Sequence, residues 1–105
     1  MTQSLLNNSR SAIIKKLSKL LPKLKTEYAI SSLGLFGSYA RNEQSENSDL
    51  DLLVEFNRPI GLEFFELKSF LEGEFNSSVD LVTKKALKAN LAPFILQEVV
   101  TINES

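Results

Sequence analysis

Cysteine, histidine and tryptophan are all absent from this 105-residue sequence. Without cysteine there is no disulfide framework and no thiolate metal site. Without histidine, zinc centres of the usual kind are excluded, and so is every mechanism built on an imidazole base. Chemistry at neutral pH would have to rest on carboxylates and a hard metal. No apolar run approaches the roughly 18 residues that a membrane span requires, so no membrane partner is expected. The opening MTQSLLNNSR has neither the basic nor the apolar region of a secretory signal, and a cytoplasmic location is expected. There is no internal repeat and no low-complexity tract.

What is present is ordinary for a globular fold: 43% hydrophobic and 24% charged residues, a balance that argues against disorder. One domain over residues 1–105 is expected for this length. The net charge of −1 gives no support for direct nucleic-acid binding. The distribution says more than the sum. Residues 1–30 carry six basic side chains against one acid, and residues 31–80 carry three basic against ten acidic. The basic start reads as the solvated face of a helix. The acidic middle is either a solvated surface or a cation site.

Apolar residues at Ile13, Ile14, Leu17, Leu20 and Leu21 predict a helix over Ser9–Leu21, with Asn8 or Ser9 as cap. Pro22 suits the first turn of a second short helix, Pro22–Tyr28. Ala29–Phe36 reads as a strand leading into Gly37. A helical turn over Tyr39–Arg41 and a polar loop over Asn42–Ser48 follow. Leu50–Phe56 is the clearest strand. Its alternation places Asp49, Asp51, Leu53 and Glu55 on one face and Leu50, Leu52, Val54 and Phe56 on the other. After a turn at Arg58–Gly61, helical spacing returns over Leu62–Phe75, with Phe64, Phe65, Leu67, Phe70 and Leu71 as its core stripe. Val79–Val82 is a short buried strand and Leu91–Val100 a last helix. The fold class is α+β, close to α/β, with a small mixed sheet flanked by helices.

Three features converge on chemistry. Gly37-Ser38 follows a strand at the start of a helical turn, where glycine allows close backbone approach and exposed N–H groups favour a phosphate. Asp49 and Asp51 lie two residues apart on one strand face, about 6–7 Å along the backbone. Like charges that close repel unless a cation sits between them, and hard oxygen ligands on a rigid strand suit Mg²⁺. Asp80, between Val79 and Leu81, needs a partner, a metal or solvent. It completes a three-carboxylate cluster only if its strand lies beside that of Asp51. Arg41, one helical turn on, either neutralises phosphate charge or pairs with an acid of the Asn42–Ser48 loop.

Gly37-Ser38, ten residues, Asp49-x-Asp51 and an acid on the next strand together resemble the signature of the DNA polymerase β-type nucleotidyltransferases. LGLFGSYAR, SDLDLLVEF, SSVDLVTKKALK and ILQEVV, in this order, resemble more narrowly the minimal nucleotidyltransferase (MNT, or MntA) antitoxins of toxin–antitoxin modules. One departure is Asn42, where that family usually carries glycine; asparagine tolerates the left-handed conformation such a turn requires. The resemblance implies a polymerase β-type core. It also implies two Mg²⁺ ions on Asp49, Asp51 and Asp80, ATP as substrate, and Gly37, Ser38 and Arg41 at the nucleotide. The implied partner is a HEPN-domain RNase toxin in a type VII-like module, bound as a hetero-oligomer with a toxin dimer. The implied reaction is transfer of AMP to a tyrosine hydroxyl of that toxin, which inactivates it. The competing expectation is a non-catalytic antitoxin that neutralises the toxin by covering it. No acceptor-binding domain is expected within this length, so the acceptor surface would come from the partner.

Overall fold

The computed structural model describes residues 9–104 apart from 88 and 91. The expected caps and helix starts at Asn8 and Leu91 lie outside these residues. Helix α1 spans Arg10–Tyr28, strand β1 Ile30–Phe36, the short helix α2 Gly37–Ala40, β2 Leu50–Phe56, α3 Glu63–Phe75, β3 Val79–Thr83, α4 Ala92–Glu98 and β4 Val100–Thr101. A 3₁₀ turn at Lys84–Ala86 follows β3. The four strands form one mixed sheet in the order β3-β2-β1-β4. β2 pairs with β1 antiparallel and with β3 parallel, and β4 pairs antiparallel with the other edge of β1.

The alternation of β2 decides which face is core. Leu50, Leu52 and Val54 join Leu17, Leu24, Leu67 and Leu71 in one buried cluster, so this face meets α1 and α3. Burying a leucine side chain contributes about 1.5–3 kcal/mol, and a one-residue slip of β2 would exchange that face for Asp51 and Glu55. The parallel β2–β3 pair requires a crossover, which α3 supplies. Between α1 and α3, Tyr28 lies against Phe70 with ring centroids 6.0 Å apart. Lys23 and Lys16 lie over the rings of Phe70 and Phe75.

Four sequence expectations are corrected. First, α1 is one helix with Pro22 inside it, not two. Proline removes one backbone hydrogen bond, but Leu17, Leu21 and Leu24 on either side of it are all buried in the core and hold the axis continuous. Ser9 caps its start, its hydroxyl accepting from the Ala12 amide at 3.1 Å. Ala29, left-handed at φ +58, ends it. Second, the last helix stops at Glu98, and Val100–Thr101 forms a fourth strand beside Gly34 and Leu35. The β-branched pair Val99-Val100 suits a strand better than a helix end. Gly34 makes room, since a Cβ there would lie 2.5 Å from Val99 Cγ2. Third, Phe65 is 64% exposed rather than core. At about 100° per residue it projects away from the buried Leu67–Leu71 stripe. Fourth, a 3₁₀ turn occupies Lys84–Ala86, where the sequence predicts no element; the Thr83 hydroxyl caps it by accepting from the Ala86 amide.

Candidate active site

Strand pairing gathers the residues singled out in the sequence. Phe36, the last residue of β1, stands opposite Asp51, so the chain leaves β1 at Gly37 directly beside that carboxylate. On its other side, β2 meets β3 in a register that places Asp80 opposite Asp51. The Leu50 amide donates to the Ser78 carbonyl at 2.9 Å and aligns the starts of the two strands. Asp49 precedes β2 by one residue. Asp49 and Asp80 are exposed and Asp51 is half-buried. Strand order, on which the role of Asp80 depended, therefore brings it next to Asp51.

Gly37 is fixed by two independent constraints. Its φ of +75° is left-handed, a region that costs an L-residue roughly 1–2 kcal/mol. A Cβ at this position would also lie 2.0 Å from Asp51 Oδ2 and 2.9 Å from its Cγ. The Asp51 carboxylate thus occupies the volume of the side chain that glycine lacks. Asn42, where the sequence departs from the MNT pattern, is left-handed as well at φ +59°. It needs no glycine because asparagine accepts that conformation.

The electrostatics single out Asp51. Its pKa is pushed up to about 6, first by burial and then by the charges of Asp80 and Asp49, with Arg41 opposing. Three carboxylates crowd one strand end, and none of them has an ion-pair partner among the described residues. Nor, among the described residues, are three acidic side chains already drawn together at metal-holding distance. The donor set still fits Mg²⁺. That ion takes one or two protein carboxylates and completes its shell with water and phosphate oxygens, so no closed three-ligand nest is required beforehand.

Arg41 is engaged by acids in this structure. Its Nε donates to Glu43 at 2.9 Å and its Nη1 to Glu98 at 3.0 Å. Glu43 belongs to the loop that sequence reasoning offered as the alternative partner. Glu98 is a site residue that sequence reasoning missed. Its other oxygen accepts from the Gly37 amide at 3.1 Å, across 61 residues of sequence. One signal could have found it: an acid in the last turn of the expected Leu91–Val100 helix sits against the helix dipole and so calls for a partner elsewhere. Ser38 is half-buried, and its carbonyl accepts from the Glu43 amide at 2.8 Å. Tyr39 is buried in the core, and burial raises its phenol pKa. Ser48 acts locally, accepting from the Ser45 amide at 2.8 Å. A cavity of about 540 Å³ lies at the opposite end of β2, lined by Phe56, Arg58, Phe64 and Lys84 among others, and holds none of these residues.

A mixed sheet that delivers a Gly-Ser turn against the acids of the neighbouring strands is the core of a nucleotidyltransferase, and residues 17–102 match the nucleotidyltransferase-domain family. The chain belongs to that family, within its minimal nucleotidyltransferase (MNT) branch. The protein adenylyltransferase MntA of Thermococcus cleftensis is 42% identical over 81 residues, 76% of this chain and 82% of that protein. A solved structure assigned to the minimal nucleotidyltransferases superposes with a TM-score of 0.75 at 31% identity, covering 88% of this chain and 94% of that one. A solved toxin–antitoxin structure with AMP-PNP superposes with a TM-score of 0.67 at 25% identity, covering 81% and 71%. The fold is the expected α+β class and the chain is a nucleotidyltransferase. No described helix is long and apolar enough to cross a membrane.

Proposed function

We propose that residues 1–105 act as a single minimal nucleotidyltransferase domain, the antitoxin of a HEPN/MNT pair in the cytoplasm. It moves AMP from ATP to a tyrosine hydroxyl of the partner HEPN RNase and so inactivates it, within a hetero-oligomer built on a toxin dimer. The observation that carries this reading is the seat of the Asp51 carboxylate against the bare Cα of Gly37. It holds a phosphate-binding type of turn and an acid cluster together in a chain of this family. The relative named for protein adenylylation and the neighbour solved as a toxin–antitoxin with AMP-PNP support the substrate and the partner.

Asp49, Asp51 and Asp80 would hold two Mg²⁺ ions, and the ions would supply charge neutralisation at the phosphates and a lowered pKa at the acceptor hydroxyl. The chain's own groups do the rest. Gly37 and Ser38 seat the triphosphate, and Arg41 offsets part of its charge. Asp80, at the exposed edge strand, receives the hydroxyl proton. The tyrosine oxygen bonds to the α-phosphorus as the α–β bridging bond breaks, and pyrophosphate leaves in line. Adenylate on the toxin then brings bulk and negative charge to its RNase site.

Incubation of the purified pair with ATP and Mg²⁺ tests this. The toxin mass rises in steps of one adenylate on tyrosine, and toxin RNase activity falls with it. Neutralisation with no mass increase would replace the enzyme by a binding antitoxin.

A further inference from the structure

We propose that Glu98 is a positioning residue of the nucleotide site, holding the Gly37 turn and the Arg41 guanidinium in one fixed relation. The proposal rests on the nucleotide reading given above. The two carboxylate oxygens of Glu98 make separate contacts. One accepts from the Gly37 amide at 3.1 Å, and the other accepts from Arg41 Nη1 at 3.0 Å. The side chain is only 25% exposed, so these contacts are shielded more than those of a solvated pair. Charge-assisted hydrogen bonds of this kind are the strong ones.

The backbone is arranged to deliver Glu98. Gly34, with no side chain, lets Val99 press onto β1. The pairing of Val100 with Leu35 then pins the end of α4 beside the β1 exit. A helix end disfavours a carboxylate, and the two contacts offset that cost. Arg41 is also held at Nε by Glu43 at 2.9 Å. The described contacts therefore use two of the five guanidinium N–H donors and leave three for a ligand. A guanidinium held at both Nε and Nη1 is oriented before the nucleotide arrives, which lowers the ordering cost of binding.

The opposite function would follow if Glu98 merely filled the phosphate's place on the Gly37 amide, for then nucleotide would have to expel it. The two differ in sign. ATP binding to the full chain with Mg²⁺ is measured by calorimetry for wild type, Glu98→Gln, Glu98→Ala, Arg41→Ala and the Glu98→Ala/Arg41→Ala double variant, with transfer kinetics on the toxin complex alongside. Glu98→Ala is expected to weaken ATP binding roughly tenfold, as loss of a charged hydrogen bond does, and to raise KM for ATP more than it lowers kcat. The double variant is expected to lose clearly less than the sum of the two single losses, since both changes break the same Arg41–Glu98 contact while only one of them releases the Gly37 amide. Glu98→Gln keeps an acceptor for the Gly37 amide and recovers part of the loss. Additive losses in the double variant would overturn the proposal. So would unchanged or tighter ATP binding by Glu98→Ala and Glu98→Gln, tighter binding identifying Glu98 as a competitor of phosphate. Wild type that binds no ATP would instead overturn the nucleotide reading and this proposal with it, so the two failures are distinguishable. If Glu98→Ala does not fold, Glu98→Gln alone decides between the two signs.

Discussion

The two ends of β2 carry acids of the same face in opposite circumstances. At the far end, Glu55 lies 3.5 Å from Lys84 and accepts from the Ser32 hydroxyl at 2.9 Å, and nearby Glu63 lies 3.2 Å from Arg58. At the near end, Asp49, Asp51 and Asp80 gather at one end of the paired strands β2 and β3, and the guanidinium that acts on Asp51, that of Arg41, is bound to Glu43 and Glu98 instead. The far end satisfies its charge with its own side chains, as a surface does. The near end accumulates negative charge that meets no ion-pair partner among the described residues, an arrangement that favours a ligand bringing positive charge.

The largest effect is expected where that contrast is strongest. Asp49→Ala with Asp51→Ala removes the proposed metal ligands, a loss of several kcal/mol at the transition state, or a fall of about 10³ or more in transfer rate. The unfolding midpoint should hold or rise, because repulsion is relieved. A double variant that still adenylylates the toxin would show that the acids at the near end hold no catalytic metal. Gly37→Ala comes next. The clash with Asp51 and the left-handed backbone should destabilise the fold by about 1–3 kcal/mol and displace the carboxylate, cutting transfer by about 10²-fold. Full activity in this variant would mean that the Gly37–Asp51 contact has no functional role.

The pH response sharpens the contrast by sign. Asp51 holds its proton up to about 6, against an ordinary value of 3.8. Between these values the native state binds more protons than the unfolded chain, so metal-free stability should fall as pH rises from about 4 to 6 and then level off. Glu63 is shifted the other way, lowered by the backbone amides of Glu63 and Gly61 and by Arg58. Its contribution is present above the unfolded pKa and is lost as pH falls. Thermal melts with and without Mg²⁺ test this: Asp51→Asn should flatten the pH 4–6 slope, and Mg²⁺ should stabilise more at pH 7 than at pH 5. A slope unchanged in Asp51→Asn removes Asp51 as its source. The smallest effect belongs to the far end. Lys84→Ala should change stability by no more than about 1 kcal/mol, as an exposed pair does, and leave transfer unaltered; a large loss of activity would tie the far end to the site.

Much of this was legible because its causes are local. The period-two pattern of Leu50–Phe56 named both the strand and its buried face, and the Gly37-Ser38 and Asp49-x-Asp51 motifs lie within one short stretch of chain. Where local rules conflicted with packing, packing won: Pro22 sits within α1 because three buried leucines outweigh one lost hydrogen bond. Aromatic character draws Phe65 into the expected stripe; once packing buries Leu67 and Leu71, the turn of about 100° per residue carries it to the opposite side of the helix.

Composition and short-range periodicity are properties of the chain alone, and they suffice for the residue types at the site, the strand that carries two of the acids, and the lack of imidazole and thiolate groups in this chain. Packing brings Asp80 opposite Asp51, seats the Asp51 carboxylate in the space beside Gly37, and carries Glu98 back to Gly37 and Arg41. Each of these depends on which strands become neighbours. Strand order is set by burial of the whole apolar face at once, a sum over contacts distant in sequence that no single segment encodes.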